Sequence, residues 1–277
     1  MIKFNNGYEI PKLGLGTFLM QDDNETKAVI KKALEVGYRH FDTAQMYRNE
    51  KAIGEALKES GYKREDIYIT TKLARHHSKE ETKALIMQSL KDLQTDYIDL
   101  LLIHWPNHDD KINLQTWQVF EELYEQGYLK AIGVSNFTRY QMEQLLKGAK
   151  IKPVVNQIEL HPALSQVPTK SYLDNLDIRT TSYGPLMRGH MFDSPFIEVF
   201  EEIAKKHDAT VAQVLIAWGL ARGVMMIPKT VNEVRLVENF GASNVKLDES
   251  DILKINGLNA GRRYYTDPSN NPLGNLI

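Results

Sequence analysis

The chain contains no cysteine, which excludes disulfides, thiolate metal sites and a cysteine nucleophile. It also lacks an excess of charge of either sign, because 34 lysines and arginines face 36 aspartates and glutamates, for a net charge of −2. Electrostatics therefore gives no reason to expect nucleic acid or an anionic membrane as a partner. The densest apolar runs, residues 100–103 and 224–227, are far shorter than the ~20 residues of a membrane-spanning helix.

Targeting and metal-binding signals are also missing. The opening residues, MIKFNNGYEIPK, have no apolar stretch of the secretory kind, so we expect a cytoplasmic protein. Only His76 and His77 are adjacent among eight histidines. No HExxH motif or paired carboxylates accompany them, and no metal site is predicted. The composition, 42% apolar and 25% charged, is that of a soluble globular protein. No linker or repeat divides the chain, so we expect one domain over residues 1–277.

Short apolar runs alternate with longer amphipathic segments along the chain. The segments show helical spacing, as where Val211, Val214, Leu215 and Trp218 recur at i, i+3, i+4 and i+7. Eight strands alternating with helices at this length predict an α/β fold, a (β/α)8 TIM barrel. The strand-like runs are residues 13–16, 39–42, 67–72, 98–104, 131–135, 154–158, 178–183 and 224–228.

Glycines and turn residues suggest how the elements end. The glycines predicted as left-handed caps of successive helices are Gly37, Gly61, Gly127 and Gly148. An Asn5-Asn6-Gly7 turn near the start predicts a β-hairpin that caps the bottom of the barrel. The tail, residues 258–277, lacks periodicity and is interpreted as a loop over the barrel mouth.

Polar side chains follow the predicted strands where each one ends. In a barrel of this kind the active site lies at the carboxyl ends of the strands, so these side chains are expected to face one mouth. Tyr47, in the loop after the second run, can fold back over the same mouth. The strand-end residues are Asp42, Lys72, His104, Ser135, Asn136, Gln157, Tyr183 and Lys229.

Four of these residues form a chemically coherent group. An isolated tyrosine has a pKa of ~10 and is a poor acid at neutral pH, but the Lys72 ammonium would favour the Tyr47 phenolate and lower that pKa. Asp42 would keep Lys72 charged and oriented, and a His104 N–H can bind a carbonyl oxygen. Together they could protonate an oxyanion as it forms.

Each of the four also has a purely structural interpretation. Asp42 could cap a helix, Lys72 could be a solvated loop cation, Tyr47 could pack on the surface, and His104 could be a buried histidine with satisfied hydrogen bonds. Their convergence at one end of a barrel favours chemistry. Lys72 could alternatively serve as a Schiff-base nucleophile of a lyase.

A separate basic cluster follows the eighth strand, in IPKTVNEVRLVEN, residues 227–239. Lys229 at the N-terminus of a helix would attract a phosphate, and Arg235 can add a planar, bidentate donor. The nearest glycine pattern, Gly14-Leu15-Gly16, precedes Thr17 and opens no helix, so it is not a dinucleotide fingerprint.

With these motifs in order, the chain resembles the aldo-keto reductase superfamily, in particular its prokaryotic diketogluconate and methylglyoxal reductases. The resemblance covers nearly the whole chain. The matching segments are GYRHFDTAQMYRNEKAIG, TTKL, LLIHWP, GVSNF, NQIELHP and IPKTVNEVRLVEN.

The resemblance implies a role for each matching position. Tyr47 would be the proton donor, His104 would position the carbonyl, and Lys72, held by Asp42, would lower the tyrosine pKa. NADPH would be the cofactor, because two cations and a hydroxyl suit its 2′-phosphate. The implied cofactor-binding residues are Thr17, Ser135, Asn136, Gln157, Tyr183, Lys229, Thr230, Arg235, Glu238 and Asn239. The implied substrate-pocket residues are Phe18, Ala74 and Trp105.

Some positions depart from the family pattern. Ala74 stands where many relatives carry an aromatic wall, and Gly184 follows Tyr183 where serine is usual. The expected reaction is reduction of small aldehydes or ketones, such as dicarbonyls or keto-sugars, by a monomer. A nucleotide-sensing binding protein of the same fold is the alternative within the superfamily.

Overall fold

The computed structural model describes residues 1–270, which contain ten strands. The first two pair antiparallel as a hairpin, and the other eight pair parallel, each with the next along the chain. Parallel bridges from Leu13 to Met226 and from Gly16 to Lys229 join the last strand to the first of the eight. The predicted eight-stranded parallel barrel is confirmed. The strands are β1 (Ile2–Lys3), β2 (Glu9–Ile10), β3 (Leu15–Gly16), β4 (His40–Asp42), β5 (Tyr68–Leu73), β6 (Leu100–Ile103), β7 (Ile132–Ser135), β8 (Val155–Glu159), β9 (Arg179–Tyr183) and β10 (Met225–Met226).

The amphipathic segments form the helices that follow the barrel strands. Several begin with a reciprocal capping box. At α8 the Thr210 side chain accepts from the Gln213 N–H, and the Gln213 side chain accepts from the Thr210 N–H. No helix in residues 1–270 is long and apolar enough to cross a membrane. The described helices are α1 (Asp23–Val36), α2 (Glu50–Glu59), α3 (Lys79–Asp92), α4 (Asp110–Glu125), α5 (Arg139–Gly148), α6 (Val167–Asn175), α7 (Phe196–Lys206), α8 (Val211–Ala221), α9 (Glu233–Gly241) and α10 (Glu249–Asn256).

The β1–β2 hairpin packs against the ends of the strands opposite the polar residues. Phe4 and Ile10 are buried with Leu100 and Leu102 of β6. The Asn5 amide donates to the Pro153 and Asp177 carbonyls, both at 3.0 Å, and these residues precede β8 and β9. The hairpin therefore lies at the amino ends of the barrel strands and leaves their carboxyl ends open.

One of the four predicted glycine caps is wrong. Gly37 ends α1 with φ +120°, and its N–H donates to Ala33. Gly148, in contrast, is the last residue within α5, and Ala149 is the cap. A Cβ at Gly148 would lie 2.5 Å from Leu114 Cδ2 of α4. Glycine at this position allows α5 to approach α4 closely and does not supply a left-handed turn.

Candidate active site

A cavity of about 970 Å³ opens at the carboxyl ends of the barrel strands. Of the predicted site residues only Lys72 and Ala74 are missing from its lining. The remaining predicted residues line the cavity: Thr17, Phe18, Asp42, Tyr47, His104, Trp105, Ser135, Asn136, Gln157, Tyr183, Lys229, Thr230, Arg235, Glu238 and Asn239.

Lys72 lies beneath the cavity floor in a buried ion pair. Its side chain is fully buried and donates to Asp42 Oδ1 and, at 2.8 Å, to the Thr43 carbonyl. The second Asp42 oxygen accepts from Gln157 Nε2 at 2.7 Å. Burial lowers the pKa of Lys72, but the Asp42 carboxylate and Tyr47 outweigh it, so the net pKa is above the ordinary value. Lys72 is therefore a fixed cation.

Tyr47 ends a 3-10 turn, Gln45–Tyr47, that brings its ring over the ion pair. Lys72 Nζ lies 5.1 Å from the ring centroid. Lys72 lowers the pKa of Tyr47, as the sequence predicted, but the net pKa is above the ordinary value. Burial raises the pKa of Tyr47 by more than the Lys72 charge lowers it. The phenol is thus fully protonated at neutral pH, with a cation beside it to stabilise the phenolate.

His104 stands edge-on to Tyr47, with ring centroids 5.7 Å apart. Burial, and secondarily Lys72, hold the pKa of His104 well below its usual range. The imidazole is therefore neutral, and its Nδ1 is buried with no hydrogen-bond partner among residues 1–270. A neutral imidazole can donate one hydrogen bond to a carbonyl oxygen without carrying a charge.

A polar group continues the site along β7, β8 and β9. The Ser135 hydroxyl donates to the Gln157 carbonyl at 2.9 Å, and the Asn136 amide donates to the Ser135 hydroxyl at 3.1 Å. Asn136 adopts a left-handed φ of +64°. Its side-chain oxygen Oδ1 accepts from the Tyr183 hydroxyl at 2.7 Å. The hydrogen bond fixes the phenol end of Tyr183 while its ring lines the cavity.

The far end of the cavity is cationic. Lys229 and Arg235 are exposed, and neither forms an ion pair with a carboxylate in the described part of the chain. The Asn232 side chain caps α9 by accepting from the Arg235 N–H at 3.0 Å, and Thr230 lies just before it. Two free cations beside a helix N-terminus suit a phosphate dianion.

Glu238 and Asn239 complete that end from within α9. Asn239 is buried, and Glu238 accepts from the Thr210 hydroxyl at 2.5 Å. Glu238 therefore links the start of α8 to the cavity wall, and its charge is partly satisfied before any ligand arrives.

The wall beside Tyr47 is apolar. The Phe18 ring lies 5.1 Å from the Tyr47 ring, and Trp105 follows His104 into the lining. Ala74 does not reach the cavity. Its backbone N–H donates to the Gln45 side chain at 3.0 Å, one residue beyond the end of β5. The side chains of β5 alternate in direction and Lys72 points inward, but the strand ends at Leu73, so this alternation does not extend to Ala74.

Several lining residues were not predicted. Leu19 and Met46 flank Phe18 and Tyr47 and are exposed at the rim, and their proximity in sequence to those residues could have identified them. Arg188 and Tyr265 also line the cavity. They belong to segments without periodicity, and no sequence signal marks them. The predicted C-terminal loop is described only as far as residue 270, and residues 271–277 lie outside the described part.

The strand ends of this parallel barrel bring a buried cation, a phenol and an imidazole into one cavity with a cationic end suited to a phosphate. These are the features of a nucleotide-dependent barrel enzyme. The sequence profile of the Aldo/keto reductase family matches residues 12–260. The chain belongs to this family, and the predicted resemblance is confirmed.

Three known proteins illustrate the similarity. The glyoxal reductase of Bacillus subtilis (strain 168) is 42% identical over 268 residues, 96% of this chain and 95% of that protein. MGS-M4, an aldo-keto reductase from a Medee basin deep-sea metagenome library, has a solved structure with 42% identity and a TM-score of 0.94, covering 98% of this chain and 99% of its own. An aldo-keto reductase solved in complex with NADPH is 35% identical with a TM-score of 0.88, covering 96% of this chain and 89% of its own.

Proposed function

We propose that the protein reduces small aldehydes and ketones with NADPH, and that α-dicarbonyls are among its substrates. One observation carries the proposal: a single cavity connects Tyr47 and His104 at one end with the unpaired cations Lys229 and Arg235 at the other. A reductase of this class needs both ends at once, a proton donor for the new alcohol and a binding site for the phosphates of the nucleotide.

The residues present fit NADPH by the chemistry of their donor set. Ser135, Asn136 and Gln157 offer the amide and hydroxyl groups that would hold a carboxamide, with the Tyr183 ring beside them as a stacking surface. At the cationic end, Lys229 and Arg235 would meet the 2′-phosphate that distinguishes NADPH from NADH.

The remaining predicted nucleotide residues are assigned to the adenosine half. Thr230 would add a hydroxyl at the 2′-phosphate, and Glu238 and Asn239 would contact the adenosine. Thr17 is fully buried and donates to the Asp42 carbonyl at 3.0 Å, so it would shape the cavity between the two ends. When bound, NADPH supplies the hydride.

The chain's own residues would manage the proton and the charge. Tyr47 donates its proton to the carbonyl oxygen as negative charge develops there, and Lys72 stabilises the resulting phenolate electrostatically. Asp42 keeps Lys72 in place. His104, as a neutral imidazole, donates a hydrogen bond that orients the carbonyl oxygen toward Tyr47.

The substrate class follows from the wall around Tyr47. Phe18, Leu19, Met46 and Trp105 line the cavity with Tyr47 and would shield the reacting carbonyl from water. Among the described residues, the basic side chains that line the cavity are Arg188, Lys229 and Arg235. None belongs to the segments around Phe18, Tyr47 and Trp105, so highly charged substrates would lack a partner there. The glyoxal reductase of Bacillus subtilis, similar over nearly the whole chain, supports dicarbonyls as the first substrates to test.

The geometry does not favour a Schiff-base lyase. A nucleophilic lysine needs access to the substrate and a lowered pKa. The Lys72 side chain is fully buried, is bound to Asp42 and the Thr43 carbonyl, and has a raised pKa. It is placed to support Tyr47 and cannot attack a carbonyl in the cavity.

The test is optical NADPH consumption against glyoxal, methylglyoxal, simple aldehydes and keto-sugars, with wild type and Tyr47→Phe. Wild type is expected to turn over, and Tyr47→Phe to lose about 10²- to 10⁴-fold in kcat with NADPH affinity within about twofold of wild type. Tyr62→Phe, a tyrosine outside the cavity, is the control. NADPH binding without turnover on any carbonyl would reject the reductase and favour a nucleotide sensor. Normal turnover by Tyr47→Phe would reject Tyr47 as the acid.

A further inference from the structure

The C-terminal segment of residues 259–266, which we name the strap, is fixed to the barrel by a buried carboxylate. Glu159, the last residue of β8, has a fully buried side chain. It accepts from the Tyr264 N–H at 2.6 Å and from Arg263 Nη1 at 3.4 Å. His161 Nε2 donates to the same carboxylate at 3.0 Å. A loop held by a buried charge in this way has a defined position.

Further hydrogen bonds attach the strap to the loop after β8. The Ala260 and Arg262 N–H groups donate to the Ala163 carbonyl at 3.1 and 3.0 Å. The Asn259 side chain accepts from the Ser165 N–H at 2.9 Å. Three successive attachments precede residue 265, so the direction in which its side chain leaves the strap is set by the barrel.

Tyr265 enters the cavity and meets Tyr183 edge-on. The two ring centroids lie 5.2 Å apart at 88°, a favourable edge-to-face arrangement. The Arg188 guanidinium lies 5.1 Å from the Tyr265 ring. The Tyr183 hydroxyl is held by Asn136, so the contact with Tyr265 is a second support for the same ring.

Glycine at position 184 makes this contact possible. Gly184 has φ +62°, and a Cβ there would lie 2.4 Å from Tyr265 Cε2. Non-bonded carbon atoms do not approach one another to 2.4 Å, so any residue larger than glycine would displace the Tyr265 ring. The glycine and the tyrosine, separated by 80 residues, are a matched pair.

We propose that Tyr265 is a positioning residue for Tyr183, and that Gly184 is the residue that admits it. The inference rests on the proposed function, in which the Tyr183 ring stacks on the nicotinamide. With its hydroxyl bound to Asn136 and its ring perpendicular to the Tyr265 ring, Tyr183 is held in one orientation before the nucleotide binds. Preorganisation of this kind raises affinity because the ring loses little freedom on binding.

The first test is fluorescence titration with NADPH of wild type, Tyr265→Ala, Tyr265→Phe and Gly184→Ala. Tyr265→Ala is expected to weaken NADPH binding about three- to tenfold, and Tyr265→Phe to recover most of the loss because the ring edge carries the contact. Tyr62→Ala is the matched control, since Tyr62 also lies under an arginine, Arg39 at 4.3 Å, but outside the cavity.

The double variant Gly184→Ala/Tyr265→Ala separates the steric account from backbone strain. If the added methyl acts by displacing Tyr265, it weakens binding in wild type and has no effect once the ring is gone. If it acts only by straining a left-handed position, its effect is equal in both backgrounds. Independent effects, or unchanged NADPH affinity in Tyr265→Ala, would overturn the inference.

Wild type, Tyr265→Ala, Gly184→Ala and the double variant are also compared by thermal unfolding without nucleotide. Non-additive midpoints are expected, because the collision between residues 184 and 265 exists in the free protein. Additive midpoints would reject the pairing. Failure of wild type to bind NADPH would reject the proposed function and, with it, the nicotinamide role of Tyr183, while the midpoints would still decide whether Gly184 and Tyr265 are coupled.

Discussion

Replacing Asp42 with asparagine removes the charge of the buried ion pair and keeps nearly the same shape. Lys72 would remain as a fully buried ammonium whose remaining close partners, the Thr43 carbonyl and the Tyr47 side chain, carry no opposing charge. Asparagine also has one acceptor oxygen where Asp42 has two, so the bond from Gln157 or that from Lys72 is lost. Breaking a buried pair at one partner costs about 3–5 kcal/mol. For a chain of this size we expect a fall of about 10 °C in the unfolding midpoint.

The cost should depend on pH in a defined direction. In wild type the pKa of Lys72 is raised, so its stabilising contribution is fully present below the unfolded value of ~10.4 and constant between pH 7 and 9. In Asp42→Asn, burial remains and the main opposing charge is gone, so the pKa of Lys72 falls below ~10.4. The unfolded chain then binds more protons, and stability of the variant rises with pH.

Urea unfolding of wild type and Asp42→Asn at pH 7 and pH 9 measures this effect. The difference in unfolding free energy between wild type and Asp42→Asn should be smaller at pH 9 than at pH 7. The double variant Asp42→Asn/Lys72→Met should recover part of the loss and show no such narrowing, because it has no buried charge. A gap below about 1 kcal/mol, outside the range given for broken buried pairs, or one that widens at pH 9, would refute the assignment of Lys72 as a buried cation held by Asp42.

Two further substitutions test other parts of the structure. Lys229→Met and Arg235→Met should each weaken NADPH binding at least tenfold more than NADH binding, measured by titration, because both cations are proposed to bind the 2′-phosphate. Equal weakening would contradict that assignment. Gly148→Ala should destabilise the protein by about 1–3 kcal/mol in urea unfolding, because its Cβ would collide with Leu114. Gly148→Ala/Leu114→Ala should relieve the collision, and a neutral Gly148→Ala would show that α4 and α5 are not closely packed there.

Strand-end residues could be predicted because the information is local. A short apolar run followed by Asp42 or His104 defines both the strand and the side chain at its mouth-facing end. Ala74 was assigned to the substrate pocket from the family resemblance alone, and it lies one residue beyond the end of β5 and outside the cavity lining. The direction of the net pKa shift of Tyr47 could not be predicted from the sequence either. It depends on the balance between burial of the phenol and the proximity of Lys72.

Tyr265 and Gly184 show a different limit. A glycine in a loop has many explanations, and a tyrosine in an aperiodic tail has none that sequence can supply. Their relation appears only when the strap is placed by Glu159, whose carboxylate binds residues more than 100 positions away. Contacts of this range depend on the closed barrel and cannot be derived from a local pattern.

A series of buried hydrogen bonds joins the Lys72–Asp42 ion pair to the Tyr183 side chain. Lys72 binds Asp42, which accepts from Gln157. The Gln157 carbonyl accepts from the Ser135 hydroxyl, which in turn accepts from Asn136, the partner of Tyr183.

Lys72 and the Tyr183 ring therefore belong to one set of buried hydrogen bonds, joined at Gln157, whose side chain binds Asp42 and whose backbone carbonyl binds Ser135. Such a network is rigid only when all of its members are satisfied. If Tyr47 and Tyr183 have the proposed roles, loss of Asp42 would affect both proton donation and nucleotide positioning, since it frees Gln157 as well as Lys72.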